Sequence, residues 1–234
     1  MHDMPSVARL EPGRPGYPPG MSRGGKSPIL STLGNLALLD TPGLGFCGSR
    51  KASEKGIAVA VDCAEQAVRA GFTVVSGNAA GVDLAAHRTA LAEGGATIMV
   101  LAEGIDRFRI RRELRQVWNW ERVLVISQFP AEATWQAYRA MERNDLIIAL
   151  SRALIVVEAG ETGGTLAAGL RTLQVGKPLF VADYENIDVV APGNAQLLAK
   201  GAMRLRRSRE TGRANVASLQ EIATRQNAVQ PVLL

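Results

Sequence analysis

The sequence predicts a doubly wound α/β fold, with a mostly parallel, Rossmann-like sheet and helices on both faces. Short apolar runs alternate with longer amphipathic stretches from residue 44 to residue 181, as strands and helices do in βαβ units. The runs are apolar throughout, which is typical of strands covered on both faces. Gly71, Gly94 and Gly176 each follow a helical stretch, where a left-handed cap is favoured. These observations indicate a parallel sheet whose ligands bind beyond its carboxyl edge.

The strands and helices are predicted in regular alternation. The predicted strands are at residues 44–47, 72–75, 96–101, 123–126, 153–157 and 178–181. The predicted helices are at residues 54–70, 82–93, 109–120, 138–150 and 166–175. Beyond them we expect a helix near residues 196–200, a strand at 203–205 and an amphipathic helix at 216–226.

Composition divides the chain into three predicted parts. Residues 1–40 are predicted to be an N-terminal tail, largely disordered, because the stretch up to about Lys26 is rich in proline and glycine and poor in large apolar residues. Residues 41–207 are predicted to form the Rossmann-like domain, and residues 208–234 a C-terminal tail or helix. With 47% hydrophobic residues among 234, the chain can bury one sizeable core.

Charge and reactive residues exclude several classes of function. Lys and Arg number 27 against 22 Asp and Glu, a net charge of +5, which favours a polyanionic partner without requiring one. Cys47 and Cys63 lack CxxC spacing, and His2 and His87 are the two histidines, so we expect no disulfide framework and no metal site. No apolar run approaches the roughly 20 residues of a membrane span. We therefore expect a soluble, cytoplasmic protein with no membrane partner.

Glycine-rich turns follow three of the predicted strands. Gly48-Ser49-Arg50 follows the first strand, residues 76–83 follow the second, and Thr162-Gly163-Gly164-Thr165 follows the fifth. Each turn precedes a predicted helix, and the backbone N–H groups at a helix N-terminus bind anions. Small side chains also let a ligand approach the main chain. The sequence therefore predicts a site for phosphate-bearing ligands at the carboxyl edge of the sheet.

Two further groups of polar residues are expected at the same edge. Arg143 and Asn144 precede a hydrophobic stretch, so they can face the crevice while residues 146–148 pack. Five arginines follow the third predicted strand, and a basic segment beside anion sites can track phosphates. They are Arg107, Arg109, Arg111, Arg112 and Arg115.

Neither catalysis nor cofactor binding is predicted. A GxGxxG fingerprint is absent and no acidic residue ends the second strand, so we expect no hydride-transfer cofactor and predict no other cofactor. Asp83 and His87 share a helix face at i, i+4, but no Ser or Cys nucleophile in a strained turn accompanies them. We therefore favour structural roles, with Asp83 as a helix cap and His87 as a hydrogen-bonded partner inside the fold.

Several motifs occur together in an order that resembles a known family. They are Gly48-Ser49-Arg50, residues 76–83 with Ala86-His87, Gly94-Gly95-Ala96-Thr97, Glu142-Arg143-Asn144 and Val156-Val157-Glu158-Ala159. Over residues 44–203 the chain resembles the DNA-processing protein A (DprA) family, also called Smf. The resemblance covers most of the predicted Rossmann-like domain.

This resemblance implies a function and a set of contacts. Members of the family bind single-stranded DNA, hand it to a recombinase of the RecA type during natural transformation, and form homodimers. We therefore expect a non-enzymatic protein that acts in DNA uptake and recombinase loading. The DNA and phosphate contacts implied by the resemblance are Gly48, Ser49, Arg50, Ser76, Gly77, Asn78, Gly81, Asp83, Arg143, Asn144, Thr162, Gly163, Gly164 and Thr165.

Departures from the family pattern leave alternatives open. Asp145 stands where the family often has a second arginine, and an acid repels a DNA backbone. Gly163-Gly164-Thr165 resembles the turn of related nucleoside-monophosphate phosphoribohydrolases without their following glutamate, so hydrolysis is disfavoured and a nucleotide-binding sensor stays open. A third alternative is an interaction module whose basic C-terminal residues bind DNA or solubilise the chain. These residues are Lys200, Arg204, Arg206, Arg207, Arg209 and Arg213.

Overall fold

The computed structural model describes residues 4–18, 27–206, 208 and 211–214. The strands in these ranges are β1 (Ala8–Leu10), β2 (Leu30–Gly34), β3 (Gly43–Cys47), β4 (Thr73–Gly77), β5 (Thr97–Val100), β6 (Val123–Ser127), β7 (Ala153–Val156), β8 (Leu179–Ala182) and β9 (Met203–Leu205). The α-helices are α1 (Glu54–Arg69), α2 (Val82–Ala92), α3 (Ala137–Glu142), α4 (Asn144–Leu150), α5 (Gly164–Gln174), α6 (Ile187–Val190) and α7 (Pro192–Ala199).

The described strands form one sheet in the order β1-β2-β6-β5-β4-β3-β7-β8-β9. Strands β3 to β9 pair in parallel, and β2 and β1 add antiparallel strands beside β6. The chain runs outward from β3 through β4 and β5 to β6, and then crosses back to β7 on the other side of β3. The strand order therefore reverses between β3 and β7, which is where doubly wound folds bind ligands. The predicted fold class is confirmed.

Helices cover both faces of the sheet, which explains why the strand sequences are apolar throughout. Alternate residues of β7 belong to different cores. Ile155 packs in the same cluster as Ala60 of α1 and Ala86 of α2, whereas Val156 packs in a cluster with Leu146 of α4. No helix in the described ranges is long and apolar enough to cross a membrane.

The N-terminal residues extend the sheet, so the prediction of a largely disordered tail is wrong for β1 and β2. Leu30 and Leu33 of β2 are 0% and 4% exposed, and the Tyr17 hydroxyl donates to the carbonyl of Pro28 at 2.7 Å. Such short strands are stabilised by main-chain hydrogen bonds to their neighbours and by a few buried side chains, so composition does not reveal them. The domain boundary at residue 207 stays a prediction, and the predicted helix at 216–226 lies outside the described residues.

Residues 109–120 do not form the predicted helix. They run as a loop with a 3-10 turn at Arg112–Leu114, and Phe108, Trp118 and Trp120 pack together with ring centroids 5.0 to 6.4 Å apart. This aromatic packing outweighs the local helical preference. The predicted helix at 138–150 is divided into α3 and α4 at Arg143. The other predicted elements in the described ranges are confirmed, with ends shifted by a few residues.

Candidate functional site

Three turns meet at the carboxyl edge of the sheet around the switch point. We call them the β3 turn (residues 48–53), the β4 turn (78–81) and the β7 turn (157–163), after the strand that each follows. Arg50, Thr162 and Gly163 are exposed at this edge, and Ser49 and Asn78 are half-buried. The glycine-rich segments that the sequence singled out therefore lie on one edge of the fold.

The β3 and β4 turns pack directly against each other. Gly81 has a φ of 75°, and a Cβ at this position would lie 2.2 Å from the carbonyl oxygen of Ser49. The same carbonyl accepts a hydrogen bond from the amide of Val82 at 3.3 Å. A Cβ on Gly48 would lie 2.3 Å from the Val82 side chain. Both glycines are therefore needed for the close approach of the two turns.

A buried ion pair lies beneath the β4 turn. Arg143 Nη2 lies 3.3 Å from Asp83 Oδ2, with side-chain exposures of 9% and 7%. Arg143 Nη1 donates to the Val100 carbonyl at 3.3 Å, and Asp83 Oδ2 also accepts from the amide of Ala79 at 3.3 Å. A Cβ on Gly77 would fall 1.5 Å from Arg143 Nη1. Asp83 therefore compensates the charge of Arg143 inside the protein. Together the two side chains connect the ends of β4 and β5 with the start of α2.

His87 is held inside the fold by both ring nitrogens. Nε2 lies 2.7 Å from the Gly77 carbonyl and Nδ1 lies 2.6 Å from the Thr97 hydroxyl. Since the Gly77 carbonyl only accepts, Nε2 carries the proton. The Thr97 hydroxyl, which lies against Nδ1, donates to the Val74 carbonyl at 3.0 Å. Burial lowers the pKa of His87 to about 4. The interpretation of His87 as a buried hydrogen-bonding residue is confirmed. Ser76 is also buried, and its hydroxyl donates to the Phe46 carbonyl at 2.7 Å.

The β4 turn is also held from the loop after β5. Arg111 Nε donates to Asn78 Oδ1 at 3.1 Å, and Arg111 Nη2 donates to the Asn78 carbonyl at 2.6 Å. Arg107 Nε donates to the Glu132 carbonyl at 3.2 Å. These two members of the arginine segment therefore bind main-chain and side-chain oxygens of the protein itself.

The β7 turn leads into α5 and is held by the neighbouring α4. Gly163 has a φ of 104°, and the Asn144 amide nitrogen donates to the Gly164 carbonyl at 3.2 Å. Asp145 forms an ion pair with Arg171 at 3.3 Å. The acid that departs from the family pattern therefore has a cationic partner within the protein.

Exposed aromatic side chains stand beside these turns, and the sequence interpretation missed them. The Arg50 guanidinium carbon lies 4.9 Å from the centre of the Trp135 ring, and that of Arg139 lies 5.4 Å from the Tyr138 ring. Trp135 and Tyr138 are 47% and 59% exposed. The signal in the sequence is a pair of aromatics in a polar stretch around the start of α3, which the low overall aromatic content of 5% conceals.

Several of the basic C-terminal residues are paired with acidic side chains. Arg204 and Arg206 both form ion pairs with Asp183 after β8. Arg213 forms ion pairs with Asp62 and Glu65 of α1. In the part of this segment that the structure describes, the positive charge is therefore largely compensated. Arg207 and Arg209 lie outside the described residues.

Comparison with known proteins decides the family. The model of the family described as DNA recombination-mediator protein A matches residues 9–214. The chain belongs to this family. The family resemblance predicted from the sequence is confirmed, and the match begins within β1, in agreement with the place of β1 and β2 in the sheet.

Relatives in this recombination-mediator family extend the comparison. The chain is 33% identical over 188 residues to the DNA processing protein DprA of Streptococcus pneumoniae (strain ATCC BAA-255 / R6), which covers 80% of this chain and 66% of the relative. It is 28% identical over 176 residues to the DNA processing protein DprA of Bacillus subtilis (strain 168), covering 74% of this chain and 59% of the relative. The chain thus spans less than two thirds of the length of these relatives.

One solved structure has the same fold along its whole length. DNA processing protein A of Helicobacter pylori superposes with a TM-score of 0.76 at 23% identity, covering 95% of this chain and 97% of the other. The description of that structure concerns its unique single-stranded DNA binding mode. At this identity the likeness establishes the shared fold.

Proposed function

We propose that this protein binds single-stranded DNA along an edge surface formed by Ser49, Arg50, Trp135, Tyr138 and the residues 162–165. The observation that carries the proposal is Arg50, an exposed cation of the β3 turn that lies over the exposed Trp135 ring. A cation next to an aromatic face matches the alternation of phosphates and bases along a single strand. The ligand of the Helicobacter pylori relative supports the same assignment.

Phosphates are proposed to bind on the side of the edge surface formed by the turns. Arg50 supplies a charged donor fork, and the N-terminus of α5 supplies main-chain N–H groups at Gly164 and Thr165. Among the described residues, no side chain caps this helix end. The Ser49 hydroxyl is the third donor, although it already accepts a bond from the amide of Lys51 at 3.1 Å.

Bases are proposed to stack on Trp135 and Tyr138. Every base presents a π face, so stacking is tolerant of sequence, and it contributes about 1–3 kcal/mol per base. We therefore expect little sequence preference. Duplex DNA hides these faces in its own stack, which favours the single-stranded form.

Several residues of the predicted contact set are proposed to position the turns rather than touch DNA. Asp83 and Arg143 neutralise each other beneath the β4 turn, and Asn144 holds the start of α5. Ser76 and Gly77 are buried. No catalytic role is proposed for any of them, and His87, with both nitrogens engaged, is not proposed as an acid or base.

The biological role that we propose follows the family. The bound strand would be handed to a recombinase of the RecA type during DNA uptake and transformation in the cytoplasm, by a homodimer that lengthens the DNA track. Because the chain spans less than two thirds of its relatives, each of these steps needs its own test with this chain.

The binding proposal is tested by fluorescence anisotropy with a labelled oligothymidylate over a salt series. We expect Arg50→Ala to weaken binding about tenfold at low salt and to lower the slope of log K against log salt by about 0.7, the value for one phosphate contact on a single strand. Arg69→Ala is the matched control, because Arg69 is an exposed arginine in the last turn of α1, at the opposite edge of the sheet. Equal effects of both changes, or displacement of the strand by equimolar AMP, would overturn the proposal.

A further inference from the structure

Glu158 places a negative charge inside the first turn of α1. It is the second residue after β7 and is 7% exposed. Its Oε2 accepts from the amide of Ser53 at 2.9 Å, and its Oε1 accepts from the Ser53 hydroxyl. A Cβ on Gly56 would lie 2.5 Å from Oε1, so the carboxylate rests against the bare backbone of this residue. The helix dipole stabilises a negative charge at this position.

In this fold, the N-terminus of α1 is the position at which related folds bind a phosphate group. Doubly wound sheets bind the phosphate of a nucleotide at the N-terminus of the helix that follows the central strand, beside the switch point. Here the central strand is β3, the helix is α1, and β7 is the strand across the switch. Glu158 thus stands where the phosphate of a small nucleotide would lie. A main-chain amide, a serine hydroxyl and a helix N-terminus are also the groups that bind a phosphate oxygen.

Several donors at this helix end already form hydrogen bonds within the protein. The Ser53 hydroxyl oxygen accepts from the amide of Gly56 at 3.0 Å, and the Ser53 carbonyl accepts from the amide of Ile57 at 2.8 Å. A second anion brought to this site would meet the carboxylate at close range, where like charges repel strongly in a partly desolvated site.

We propose that Glu158 is an internal anion that fills the phosphate position of this fold and thereby excludes small nucleotides from the switch point. The proposal deepens the assignment of the edge surface to DNA. It rests on that assignment only in naming DNA as the ligand that the protein still binds. A phosphate polymer bound by Arg50 and the start of α5 does not need the α1 position. A mononucleotide needs it, because it has no other phosphate with which to bind.

The proposal is tested with inorganic phosphate and then AMP, by calorimetric titration and by the amide NMR shifts of residues 53–57. Glu158→Ala and Glu158→Ser remove the carboxylate and open the position, and Glu161→Ala is the control that removes an exposed carboxylate from the same turn. We expect both Glu158 variants to bind phosphate at least about tenfold more tightly than the parent and the control, with shifts at residues 53–57.

Two outcomes would overturn the proposal. The first is that the parent protein binds phosphate at residues 53–57 as tightly as the variants do. The second is that the Glu158 variants fold but bind phosphate no more tightly than the parent. If neither variant folds in plain buffer, folding restored by added phosphate supports the proposal, and failure to fold in phosphate contradicts it. The titration contains no DNA, so its result is separate from that of the oligothymidylate experiment.

Discussion

Removal of Asp83 should destabilise the fold strongly, because it leaves the Arg143 charge buried without its partner. At 3.3 Å and an effective dielectric constant of about 20, the attraction within the pair is about 5 kcal/mol. Breaking such a pair from one side costs about 3–5 kcal/mol. The cost should lie at the upper end of this range, since Arg143 Nε has no hydrogen-bond partner among the described residues. We therefore expect Asp83→Leu to lower the free energy of unfolding by about 4 kcal/mol.

The assay is urea denaturation of the single variant and of a double variant, Asp83→Leu with Arg143→Met. Replacing both members of a buried pair by apolar residues of similar volume is often neutral, so the double variant should regain most of the lost stability. It should also keep the parental salt slope of oligothymidylate binding, because neither residue is proposed to touch a phosphate. A loss below about 1 kcal/mol for the single variant, or a lower salt slope for the double variant, would refute this reasoning.

Three further predictions concern the same edge of the sheet. Trp135→Ala should weaken oligothymidylate binding about tenfold and Trp135→Phe much less, measured by anisotropy, since stacking needs an aromatic face; equal losses would argue against stacking. Gly81→Ala should lower the free energy of unfolding, measured by urea denaturation, by about 2 kcal/mol or more, because its Cβ would lie 2.2 Å from the Ser49 carbonyl oxygen. Gly71→Ala is the control, because Gly71 has a φ of 80° but open space around it. It should lower the free energy of unfolding by only about 1 kcal/mol. Burial lowers the pKa of His87 to about 4, against about 6.5 in the unfolded chain. The unfolded chain therefore binds more protons between these values, and the free energy of unfolding should fall by roughly 3 kcal/mol as the pH drops from about 6.5 to about 4. His87→Gln should lack this component in urea titrations at both pH values.

The sequence predicted the parallel sheet and its glycine-rich turns because both depend on local patterns. A strand buried on two faces is apolar throughout, and a turn that needs a positive φ or a close approach of another segment favours glycine. The motifs around Gly48, Gly81 and Gly163 therefore fall at the carboxyl edge once the strand order is known. Their positive φ or close packing explains the residue type at Gly81 and Gly163.

The roles of individual side chains were harder to predict, since they depend on partners far away in the chain. Arg143 reads as a surface cation next to a hydrophobic stretch, but its partner Asp83 lies 60 residues earlier and draws it inside. Asp145 reads as an unfavourable acid and is paired with Arg171, 26 residues later. Such pairs follow from packing of α2, α4 and α5 on the sheet, which no local pattern encodes.

The N-terminal strands and the aromatic pair escaped prediction for different reasons. β1 is a short edge strand in a stretch rich in proline and glycine, where composition favours disorder. β2 is a short strand just beyond that stretch. Trp135 lies in a polar stretch, and its importance comes from Arg50, which reaches it from the β3 turn.

The most direct test of the central claim is photocrosslinking of the protein to a single-stranded oligonucleotide that carries 5-iodouracil, followed by tryptic mass spectrometry. Cleavage after Arg122 and Arg139 isolates residues 123–139 as one peptide, which contains both Trp135 and Tyr138. We predict that this peptide carries the main crosslink and that Arg50→Ala reduces its yield. Crosslinks confined to the C-terminal arginines, or to the opposite edge of the sheet near Arg69, would contradict the proposed DNA path.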